Sequence, residues 1–177
     1  MILKSNLILI GFPASGKTTL GKIIAEKMRC PFYDLDELIE KRYQESTGKS
    51  QSCREIFKLE GETKFRSWEE ETLKELLNFK ETFFILASGG GLPLRTENQA
   101  VLKKLGSIFY LKVSPTVLFR RLRIKGFPAY LGDSPNLDKL NKVYEEREPI
   151  YRACADKIIE TEGMRIKEIV EFILKLL

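Results

Sequence analysis

The chain predicts a three-layer α/β/α fold on a central parallel sheet of about five strands. Three observations predict it. Short apolar runs alternate with amphipathic stretches along the sequence. Those runs are rich in branched apolar residues, as strands buried on both faces are. The 177 residues, 43% hydrophobic and 31% charged, suit one ordinary soluble core. No repeat, low-complexity tract or linker interrupts them, so 1–177 is expected to form a single domain.

In chain order, strands are expected at 7–11 (LILIG), at Phe32 and Tyr33 before Asp34, at 83–87 (FFILA), 108–113 (IFYLKV) and 157–161 (KIIET). Helical patterns lie between them. TTLGKIIAEKM follows the first strand, and ELIEKR follows Asp36. In the stretch 60–79, Phe65, Trp68, Leu73, Leu76 and Leu77 fall on one face. TVLFRRLR forms a basic helix. The last segment, 165–177, aligns Ile166, Ile169, Val170, Ile173 and Leu177. The turn-rich stretch KGFPAYLGDSPN, 125–136, reads as a mobile loop.

Composition removes several function classes. No apolar run reaches the roughly 18 residues of a membrane helix. The start, MILKSNLILIG, has no signal cleavage site and reads straight into a strand. Three widely spaced cysteines and no histidine exclude a Cys/His zinc site and a histidine base, and fit a reducing cytoplasm. The net charge of +5 reads either as a solvated basic surface or as attraction for anionic small molecules, ahead of nucleic acid. Monomer is the default expectation.

GFPASGKT, 11–18, matches G-x-x-x-x-G-K-[ST] in full, in the required strand–loop–helix context. Gly11 and Gly16 let the backbone turn N–H groups inward, and the helix N-terminus adds positive potential. With Ala14, Ser15 and Thr19 they make the expected ATP-binding loop. Lys17 can reach the β- and γ-phosphates, and the Thr18 hydroxyl suits Mg²⁺. No Asn-Lys-x-Asp string for reading guanine occurs, and the chain is too short for a motor. A small-molecule kinase is the leading reading.

A second glycine cluster, ASGGGLPLR at 87–95, follows the expected strand 83–87. The carboxyl ends of parallel strands share one crevice, so Gly89, Gly90 and Gly91 should face the phosphate loop and shape an acceptor pocket. Asp34 and Asp36 end the strand between. One carboxylate can accept from an attacking hydroxyl while the other holds the water shell of Mg²⁺; alternatively, Asp36 caps the helix ELIEKR. Arg66, with Glu69 three residues on, and Arg147 in EEREPIYR suit a bidentate grip on a carboxylate, or are ordinary surface residues.

In these blocks the sequence resembles the shikimate kinases over essentially its whole length: GFPASGKT, FYDLDELIEKR, EIFKLEGETKFRSWEEETL, ILASGGGLPLR and EREPIYRACADKIIET occur in family order. The resemblance implies a P-loop kinase with a mobile lid at about 122–136, a substrate-binding helical segment at about 36–78, and transfer of the ATP γ-phosphate to the 3-hydroxyl of shikimate. It implies that Asp36 holds the shikimate hydroxyls as candidate base and that Asp34 and Ser88 act on Mg²⁺ through water. Arg66 and Arg147 would grip the carboxylate, and Glu69 would steady Arg66. Gly89, Gly90 and Gly91 would contact substrate, with Phe57 and Phe65 as pocket walls. Arg121 would lie over the adenine.

Two departures stand out. The segment EKRYQESTGKSQSCREIF is longer than the family's usual form. The lid carries GFPAYL in place of an Arg-Pro-Leu-Leu core, with Phe127 at the arginine position. Arg123, two residues beyond Arg121, is the expected replacement cation, with Lys125 as the other choice. A gluconate-type kinase, a nucleotide monophosphate kinase and a non-catalytic nucleotide- or shikimate-binding relative are the competing readings.

Overall fold

The computed structural model describes residues 5–177, so the first four residues of the expected run-in to β1 lie outside the described residues. Five strands, β1 (Asn6–Ile10), β2 (Phe32–Asp34), β3 (Ile85–Ala87), β4 (Gly106–Lys112) and β5 (Lys157–Glu160), form one parallel sheet in the order β2-β3-β1-β4-β5. The register pairs Ile8 with Leu86 on one side and with Ile108 on the other. The third strand is shorter than expected. Phe84 N–H donates to the side chain of Asn6 rather than to the ladder, while the Phe84 ring packs edge-on against Tyr33 and Phe79.

Alternation along β1 divides the interior. Ile8 and Ile10 point to one layer, with Leu86, Ile108 and Tyr110. Leu7 and Leu9 point to the other, with Ile85, Phe109 and Leu111. The second layer is covered by α1 (Lys17–Met28) and α7 (Ile166–Leu176) through Leu20, Ile24, Ile169, Val170 and Ile173. The first is covered by α2 (Leu35–Thr47), α3 (Cys53–Glu75), α4 (Thr96–Leu105), α5 (Pro115–Lys125) and α6 (Leu137–Cys154).

Three helical expectations are corrected. The helix expected from 60 begins at Cys53, behind a capping box of Ser52 and Glu55, and breaks at Gly61 (φ 78°, ψ 171°) before continuing. Leu77 is 44% exposed, because the helix tightens into a 3₁₀ turn at Leu76–Asn78 and rotates that side chain off the face. Ile166, at the first turn of α7, is 51% exposed. The turn-rich stretch holds a short 3₁₀ turn, Ala129–Leu131, between Gly126 and Gly132, both at positive φ.

Candidate active site

Loops leaving the carboxyl ends of β1, β2 and β3 meet at one edge of the sheet. The loop after β1 turns through Ala14 (φ 63°) and Gly16 (φ 106°) into α1. Gly11, at φ 141°, allows no side chain: an added methyl would lie 2.9 Å from Leu111 O. Lys17 is buried, and its Nζ donates to Gly11 O at 2.9 Å and Phe12 O at 2.8 Å. Burial pushes its pKa down to about 8; the negative charges of Asp36 and Asp34 oppose this, and Lys125 adds to it. Arg121 Nη1 donates to Ala14 O at 3.1 Å and Ser15 O at 3.3 Å, tying α5 to this loop. Thr19 is exposed on the first turn of α1.

At the end of β2 the capping role falls to Asp34, not Asp36. Asp34 accepts from Asp36 N–H at 3.1 Å, and α2 begins at Leu35. The other Asp34 oxygen accepts from Thr18 Oγ1 at 2.6 Å. Asp36 thus sits in the first turn of α2, open to the cleft. Desolvation by the surrounding protein and the charge of Asp34 raise its pKa to about 6, against the pull of Lys17. Ser88, directly after β3, is buried, and its hydroxyl has no partner among the described residues.

The three glycines of the second cluster serve close approach rather than unusual backbone angles, since none has positive φ. A methyl on Gly89 would lie 2.9 Å from Asp36 Oδ1, one on Gly90 2.7 Å from the Pro13 ring, and one on Gly91 2.7 Å from Arg66 Nη1. Each glycine therefore makes room for a different wall of the site. Gly90 O also accepts from the buried hydroxyl of Tyr151 on α6.

These walls enclose a cleft of about 490 Å³. Asp36, Arg66, Gly89, Gly90, Gly91, Arg147, Phe57 and Phe65 all line it. Phe57 and Phe65 meet edge to face at 5.6 Å. Arg66 Nη1 lies 2.5 Å from Glu69 Oε2, and Glu69 is only 3% exposed, so the guanidinium is anchored from within. Glu62 adds a longer contact at 3.6 Å. Cys53 also lines the cleft and donates weakly to Asp36 O; burial first, then the nearby carboxylates, push its thiol far up.

Arg123 is not brought to the cleft. Helix α5 continues to Lys125, so Arg121 and Lys125, four residues apart, share a face, while Arg123 points away and is exposed. Lys125 lines the cleft instead, as does Arg54 from the start of α3. Phe127 packs on Phe119 at 5.2 Å and fixes the start of the turn-rich stretch that follows α5. Sequence reading missed Arg54, Tyr151 and the placement of Tyr130. For the first two nothing in the local pattern marks them; for Tyr130 the apolar lid tip is the only signal.

The shikimate kinase family model matches residues 13–177. A shikimate kinase of Thermodesulfovibrio yellowstonii is 40% identical over 171 residues, covering 96% of this chain and 93% of the relative. The solved shikimate kinase of Acinetobacter baumannii in complex with shikimate superposes with a TM-score of 0.84 at 32% identity, covering 99% of this chain and 93% of that one. A gluconokinase from Sinorhizobium meliloti, at 19% identity and a TM-score of 0.53, shares the fold alone. A match that spans the phosphate loop, the acceptor cleft and both arginines shows that the chain belongs to the shikimate kinase family.

Proposed function

We propose that the protein transfers the γ-phosphoryl group of ATP to the 3-hydroxyl of shikimate, giving shikimate 3-phosphate for aromatic amino-acid biosynthesis. The observation that carries the reading is one cleft holding Asp36 between two arginines and the phosphate loop. Lys17 and the loop N–H groups bind the donor phosphates, with Gly11, Ala14, Ser15, Gly16, Thr18 and Thr19 around them and Arg121 beside the loop. Arg66 and Arg147 hold the acceptor carboxylate, and Phe57 and Phe65 flank the ring. Asp36 orients the attacking hydroxyl and accepts its proton late, as suits a loose transition state.

The oxygen donors fit Mg²⁺. Thr18 and Asp34 lie within hydrogen-bond distance, and Ser88 carries a buried hydroxyl without a partner among the described residues. Mg²⁺ takes hard oxygen ligands and keeps several waters, so few protein groups are needed. Thr18 would bind it directly, with Asp34 and Ser88 acting through water. The ion would supply neutralisation of the negative charge that builds up on the phosphates.

The reading includes a substrate segment at about 36–78, a lid at about 122–136 and a cytoplasmic monomer without nucleic-acid or membrane partners. Three free cysteines are in keeping with that compartment, and no described helix is long and apolar enough to cross a membrane. Steady-state ADP release with shikimate, gluconate and nucleoside monophosphates tests the reaction. Turnover is expected with shikimate alone, to require Mg²⁺, and to be largely lost in Lys17→Ala. Preference for another acceptor would overturn the assignment.

A further inference from the structure

Arg66 and Arg147, the two arginines read as the carboxylate grip, are held by different means. Arg66 leans on Glu69 and Glu62. Among the described residues Arg147 forms no ion pair, and the carboxylate next to it in sequence, Glu148, is engaged by Arg152 at 2.7 Å. What Arg147 has instead is an aromatic platform: its Cζ lies 4.0 Å from the ring centroid of Tyr130. That is well inside the roughly 6 Å range of a cation–π contact. A ring leaves the arginine charge without a counter-charge, which is what an anion receptor needs, and the polar group beside it is the neutral hydroxyl of Tyr151, one turn on.

Tyr130 belongs to the lid, and its place is set from two sides. Phe127 packs on Phe119, and Leu131, the next residue in the same 3₁₀ turn, is only 2% exposed. Tyr130 itself is 39% exposed, so it is not a core residue that happens to touch Arg147. Both residues line the cleft.

We propose that Tyr130 is a positioning residue of the acceptor site: its ring carries the Arg147 guanidinium, so that the lid and the carboxylate grip act as one unit. This rests on the reading of Arg147 as a carboxylate ligand. Because the ring face supplies the contact, the phenol hydroxyl is dispensable.

The test is shikimate KM, ATP KM and kcat for Tyr130→Leu, Tyr130→Phe, Arg147→Ala and the double variant Tyr130→Leu/Arg147→Ala, with Tm as a check on folding. Tyr130→Leu is expected to raise shikimate KM about threefold to thirtyfold, the range of a cation–π contact. ATP KM should stay within about twofold, and Tyr130→Phe should behave as the parent. In the Arg147→Ala background the leucine should add almost nothing. Parental KM in Tyr130→Leu, an equal loss in Tyr130→Phe, or an undiminished loss in the double variant would each overturn the proposal. Parental KM in Arg147→Ala would overturn the carboxylate reading and this inference with it. A weak Arg147→Ala beside a parental Tyr130→Leu overturns this inference alone.

Discussion

Asp36 concentrates the conflict between stability and chemistry in one residue. It lies beside Asp34 and crowded by protein, which raises its pKa from 3.8 to about 6. Below about pH 4 the carboxyl is protonated folded or unfolded, and folding is indifferent to it. As pH rises, the unfolded chain releases the proton first, so the folded state loses relative stability until about pH 6 and carries the full cost above it. Asp36→Asn removes that cost. The cleft admits water to this side chain, so the expected gain at pH 7 is about 1 kcal/mol, well below the full shift. Thermal melts at pH 7 and pH 3 check it: Tm should rise by about 2–4 °C at the higher pH and match the parent at the lower. The same variant should lose more turnover than Asp34→Asn, which keeps the capping oxygen of α2. In the parent, kcat/KM should fall as pH drops below about 6, the range in which Asp36 takes up its proton.

At the scale of elements, α5 decides which cation faces the cleft. Arg121 is bonded to the phosphate loop, and one turn later Lys125 lines the cleft, while Arg123 faces solvent. Lys125→Ala should therefore cost more than tenfold in kcat, about 1.4 kcal/mol of barrier, and Arg123→Ala less than about twofold. Single-turnover phosphoryl transfer in the two variants separates them; the reverse order would return the role to Arg123. The sequence alone led to Arg123 because a planar guanidinium can bridge two phosphate oxygens while an ammonium is a point charge. Helix α5 runs on to Lys125, and the face that residue shares with Arg121 carries Lys125, not Arg123, to the cleft. Elsewhere local chemistry was sufficient to bring segments together: GFPASGKT and the glycines of ASGGG meet at one cleft, through Pro13 and Gly89 to Gly91. What those glycines do was not legible. Their necessity comes from Pro13, Asp36 and Arg66, side chains supplied by three other segments. The placement of Tyr130 was hidden for the same reason, since its partner Arg147 stands on another element.

For the whole molecule, the sheet separates two supporting layers. The phosphate loop runs into α1, which packs with α7 on one face, and Arg66 and Arg147 stand on α3 and α6 on the other. Each ligand should therefore stabilise the fold in its own right. At a hundred times its Kd a ligand contributes about 2.7 kcal/mol, or roughly 5–10 °C in Tm for a chain of this size. Differential scanning fluorimetry should show a rise with either ligand. Lys17→Ala should lose the nucleotide's share and keep the shikimate's; loss of both shares would mean that the two sites are not independently built. The absence of histidine has a consequence at this scale too. Ordinary carboxylates finish titrating below neutrality, ordinary lysines begin well above it, and all three thiols are pushed up. Between about pH 5.5 and 8.5 the buffering capacity of the side chains then belongs mainly to Asp36 and Lys17. Apart from the chain's amino terminus, a potentiometric titration of the entire protein through that window is a titration of these two neighbouring groups.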